Sequence, residues 1–113
     1  MNFRTLQVFS GGLLLVTLAF LLAPSSRAAD DAASLYKAKC AGCHAPDGSG
    51  NSPVGKAMKA PDLRSDDVQK KSDAELIALT TDGKGKMPAY KGKLTDDQIK
   101  GLVGYVRELG KKK

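Results

Sequence analysis

The chain has 113 residues, with 18 Lys and Arg against 12 Asp and Glu, two Cys, one His, three Phe and no Trp. A formal net charge of +6 with so few aromatics, and lysines dispersed among acids, excludes a nucleic-acid-binding composition. Two cysteines allow at most one disulfide, which excludes a disulfide-stapled scaffold.

The first predicted element is an export signal. The opening "MNFRTLQVFSGGLLLVTLAFLLAPSSRA" supplies a positive start at Arg4, an apolar stretch over residues 13–23 and a small-residue cleavage pattern ending at Ala28. An apolar run of 11 residues is too short for a membrane anchor, which needs about 18. Residues 1–28 are therefore expected to be a cleaved secretory signal, with membrane association only if it is retained, and residues 29–113 a single domain. This address is periplasmic or otherwise exported. All three phenylalanines leave with the signal. What remains is thin core material, and a domain this small then needs a staple such as a metal or prosthetic group.

Three helices are predicted in the domain, with no strands. The first covers residues 31–43, where Ala33, Tyr36 and Cys40 recur at helical spacing. The second starts at the capping box Ser72–Asp73–Ala74–Glu75 and ends at Gly83. The third repeats the device from Thr95 to Gln98. It carries Ile99, Leu102, Val103, Val106 and Leu109 on one face and stops at Gly110. Residues 45–71 are read as mostly irregular, with one short turn near residues 65–70. A loop that long in so small a domain is expected to wrap something.

The cysteines and the only histidine fall in "CAGCH": Cys40, Cys43 and His44. A zinc site needs a fourth ligand that no second pair supplies. A disulfide exchanger wants its first cysteine at a helix start after a strand, whereas this motif ends a helix. Covalent haem attachment explains the spacing. Two thiols add to the two vinyl groups of one porphyrin, and the next imidazole ligates the iron. With no second histidine, Met87 in "GKGKMPAY" is the candidate sixth ligand, carried on a Gly and Pro loop that Pro88 stiffens, while Met58 is read as core filler.

"CAGCH" followed by "GKGKMPAY" and a C-terminal amphipathic helix resembles the monohaem class I cytochromes c of bacteria. The resemblance implies an all-α cytochrome c fold, with three or more helices and loops wrapped around one haem c bound through Cys40 and Cys43. It implies His44 and Met87 as axial ligands, and Tyr36 and Leu35 in a helix crossing opposite Leu102 and Tyr105. It also implies a loop-proline carbonyl accepting from the His44 Nδ1 proton, for which Pro53 matches best and Pro61 second. The family's large aromatic against the haem is missing, and Tyr90 either takes part of that role or covers the Met loop.

The function so implied is periplasmic one-electron transfer without catalysis, between redox protein partners that include an acidic protein or a membrane oxidase or dehydrogenase. Lys56, Lys59, Lys84, Lys86, Lys91 and Lys93 are placed to steer an acidic partner. Two alternatives stay open: a haem subunit of a larger dehydrogenase or oxidase, and a haem protein with a labile sixth ligand that binds gases or peroxide.

Overall fold

The computed structural model describes residues 26–112, and the expected export signal lies outside them except for its last three residues. Six helices follow in chain order: α1 (Ser26–Lys39), α2 (Ala41–His44), α3 (Pro53–Met58), α4 (Asp66–Gln69), α5 (Asp73–Asp82) and α6 (Asp96–Lys111). No strand forms among the described residues, where only two isolated bridges occur, Lys84 with Met87 and Lys91 with Leu94. No helix among them is long and apolar enough to cross a membrane.

The predicted caps form as read. Ser72 and Glu75 close a reciprocal capping box at the start of α5, and Thr95 and Gln98 do so for α6. Helix α6 runs one residue past its expected stop at Gly110. The expected helix over residues 31–43 is instead two. The chain turns at Cys40 and resumes as α2, where the His44 amide donates to the Cys40 carbonyl at 2.9 Å. The short turn expected at residues 65–70 is α4, capped by Ser65. Helix α3 was not foreseen, although Ser52 at the N-cap with Pro53 at the first helical position is a recognisable start signal.

The core forms where α1 and α5 pack on α6. One cluster joins Tyr36 of α1 to Leu102 and Leu109 of α6. The Tyr36 and Tyr105 rings lie 4.9 Å apart, tilted at 47°. The crossing expected from the resemblance is therefore present, and Leu35 packs against the same cluster. A second cluster joins Val68 of α4 and Leu76 of α5 to Val103 of α6. Ile99 is 1% exposed, and its burial alone contributes roughly 2 kcal/mol. Arg107 fastens the other side of α6, donating to the carbonyls of Gln69 and Lys71 and to the Asp73 carboxylate. These helices leave the segment carrying Cys40, Cys43 and His44 at the junction of α1, α2 and α3.

Candidate haem site

Both cysteines are free thiols, Cys40 at the turn between α1 and α2 and Cys43 within α2. Burial first, and then the neighbouring Cys43 sulfur, push the Cys40 thiol up to about 11. Disulfide exchange needs the opposite, a thiolate stabilised near neutral pH, so the burial of Cys40 weighs against that reading.

The loop after α2 is bonded at nearly every peptide. The Gly50 amide donates to the His44 carbonyl at 2.7 Å, Gly48 donates to Ala45 at 3.1 Å, and Leu63 donates to Gly48 at 2.7 Å. Ala45 is buried at φ 65° and ψ 158°, backbone that L residues rarely adopt and that costs about 1–3 kcal/mol. Its carbonyl accepts from the buried Tyr36 hydroxyl at 2.7 Å.

Helix α3 is locked onto α2. The Ser52 hydroxyl accepts from the Gly55 amide and donates to the Gly42 and Cys43 carbonyls at 2.9 and 3.1 Å. Gly55 must be glycine, because a Cβ there would stand 2.1 Å from the Cys43 carbonyl oxygen.

The His44 imidazole is largely buried. Burial lowers its pKa from the ordinary value, and the Pro61 carbonyl partly opposes this by favouring the protonated ring. The balance keeps the ring neutral, as a metal ligand must be. Nδ1 has no partner in hydrogen-bond geometry, so Pro61 acts on the ring by proximity. Pro53, the proline expected to match best, opens α3, and it is Pro61, the second candidate, whose carbonyl acts on the ring. The strap carrying Pro61 lies against the His44 loop: a Cβ on Gly50 would meet the Ala60 and Pro61 carbonyl oxygens at 2.6 and 3.4 Å.

Met87 sits in a tight turn in which Lys84 and Met87 exchange backbone hydrogen bonds of 3.1 and 3.0 Å. The return segment is pinned to the end of α5 by Tyr90 donating to Thr80 and Lys91 to Thr81. Gly83, at φ 72°, ends α5 where a Cβ would strike the Met87 carbonyl oxygen at 2.7 Å. Met87 is half-buried. Met58, expected in the core, is exposed on α3 together with Val54, one turn away on the same face. Tyr90 joins the two sides. Its hydroxyl donates to the Lys39 carbonyl at 3.0 Å, and its pKa is raised by burial and then by the Cys40 and Cys43 sulfurs beside it.

The residues fit a covalently attached haem on three grounds: two free thiols lie three residues apart at the start of α2, a largely buried imidazole follows the second directly, and α3 beside them exposes Val54 and Met58. Sequence reading missed Ser52, Gly55 and the Tyr36 hydroxyl. The Ser-Pro helix start could have revealed the first.

Comparison with known proteins points the same way. The family model described as cytochrome c oxidase, cbb3-type, subunit III matches residues 27–106. Cytochrome c6 of Leptolyngbya boryana is 40% identical over 78 residues, covering 69% of this chain and 88% of that protein. The cbb3-type cytochrome c oxidase subunit CcoP of Azospirillum brasilense is 35% identical over 98 residues, 80% of this chain but 33% of the subunit. Among solved structures, the KustC0563 c-type cytochrome superposes with a TM-score of 0.63 at 33% identity, covering 70% of this chain and 96% of that one.

Proposed function

We propose a function from one premise: the chain belongs to the small class I c-type cytochromes, whose cofactor is covalently bound haem c. On that premise it is a one-electron carrier, exported and working between redox proteins. The observation that carries this reading is the turn presenting two free thiols and a buried, neutral imidazole within five residues.

Haem c, when bound, supplies a ferric/ferrous couple. Cys40 and Cys43 would hold it as thioethers, and His44 and the Met87 sulfur would ligate its iron, Met87 being carried on the turn that Gly83 and Tyr90 hold against α5 and the end of α1. The Pro61 carbonyl stands beside the His44 ring and favours its protonated form without holding Nδ1 in a hydrogen bond. No general base or nucleophile is assigned. Lys84, Lys86, Lys91 and Lys93 stand exposed beside the Met87 turn and favour an acidic partner at low salt.

The test is a visible and near-infrared spectrum of protein matured with its own export signal. c-type bands with an iron–thioether charge-transfer band are expected. Met87→Ala should keep the former, lose the latter and bind carbon monoxide promptly when ferrous. Prompt binding by the parent would favour the gas-binding alternative.

A second reading, a haem subunit docked to a larger oxidase, is favoured by the family model and by the oxidase subunit relative. It keeps the same iron ligands and differs in partner. Stable co-purification with a membrane oxidase would select it over a freely exchanging carrier.

A further inference from the structure

The peptide that follows His44 is held in a conformation its own residue disfavours. Ala45 occupies φ 65° and ψ 158°, where glycine is at ease and a Cβ is not. Bonds on both sides of its Cα keep it there. Its amide donates to Ala41 at 2.9 Å, while its carbonyl accepts from Gly48 and from the Tyr36 hydroxyl. Of these partners only Tyr36 belongs to the helix crossing. Its side chain is 2% exposed, and its ring is fixed against Tyr105 of α6. The Pro61 carbonyl lies beside the His44 ring but closes no hydrogen bond to Nδ1, so the peptides that carry the ring share in setting its orientation.

We infer that Tyr36 is a positioning residue for the haem-ligating imidazole: its hydroxyl ties the strained Ala45 peptide to the α1–α6 crossing and so fixes the backbone from which His44 projects. The inference rests on the reading of His44 as an axial ligand and adds a residue outside the attachment motif to the site. Tyr36 acts on the iron through Ala45 and His44 and touches neither haem nor redox partner in this role.

The experiment compares the parent holoprotein with Tyr36→Phe, Ala45→Gly and the pair. Phenylalanine keeps the ring in the crossing and removes the hydroxyl alone. Tyr36→Phe should shift the ferric/ferrous equilibrium on the order of threefold, below the roughly 10–100-fold by which losing a direct partner of a ligating imidazole weakens metal affinity or activity. The His44 ring resonances should move with it. In the Ala45→Gly background the same substitution should have a smaller effect, because glycine holds that backbone without a clamp. Unmoved potential and ring resonances would overturn the inference, as would equal shifts in both backgrounds. If Tyr36→Phe alone fails to fold, recovery of folding in the double variant supports the clamp and continued failure overturns it. A parent lacking c-type bands would instead overturn the functional reading itself, so the two failures are separable.

Discussion

The two sides of the site are built differently. Around His44 the protein does its own holding: Gly50 and Gly48 bond back to the loop, Tyr36 and Ser52 add side-chain hydroxyls, and Gly55 brings α3 to the edge of steric contact with Cys43. Around Met87 the backbone turns on itself and is pinned mainly at its far end, to Thr80, Thr81 and, through Tyr90, Lys39. Gly85 at the tip has nothing near the place a Cβ would occupy. The difference assigns the burden of order. The His44 side is preformed by the chain, whereas the Met87 side, on the proposed reading, would be completed by a bond from its sulfur. A carrier needs the first to keep its haem, and on the proposed reading the second is where a labile ligand would act.

The largest effect should come from removing the attachment itself. Cys40→Ser with Cys43→Ser is expected to leave a largely unfolded chain by circular dichroism, because the nine buried apolar side chains among the described residues make a small core for this domain. A cooperative helical apoprotein would break the comparison by showing that the His44 side stands without haem. Next, Gly55→Ala and Gly85→Ala set the two sides against each other in the folded holoprotein. A Cβ 2.1 Å from the Cys43 carbonyl oxygen must displace α3 from α2, for a loss of about 3 kcal/mol or more in denaturant titration. At Gly85 only the positive φ of 57° resists, for about 1 kcal/mol. Equal losses would erase the proposed asymmetry. The smallest effect is expected from Tyr90→Phe, about 0.5–1.5 kcal/mol for one exposed hydroxyl bond. Its mark should be faster exchange at the Met87 ligand, and a purely global loss of stability would count against the tether.

The helices and their caps were legible because capping boxes are local. Ser72 with Glu75 and Thr95 with Gln98 announce α5 and α6 within four residues, and the spacing from Ile99 to Leu109 marks the face that α1, α4 and α5 cover between them. The thiols and the imidazole were legible because their chemistry demands one spacing. The proline was not. Pro53 lies nearer His44 in sequence, but Ser52 caps a helix there and commits it, while Pro61 returns against the loop through contacts at Gly50 that depend on the fold. Met58 misled for a related reason: α3 turns it outward beside Val54, and no periodic pattern in six residues could show which way. The Tyr36 hydroxyl and its acceptor are nine residues apart across a break between two helices, so no helical rule connects them.

Helix α6 contributes to both buried clusters, Leu102 and Leu109 to one and Val103 to the other, and Arg107 fastens the α4–α5 junction. The consequence is kinetic. A nascent chain that has not yet delivered α6 holds no completed core, however well its earlier helices are capped, so folding is governed by contacts distant in sequence. During that interval the thiols of Cys40 and Cys43 stay open to whatever chemistry must reach them before the molecule shuts.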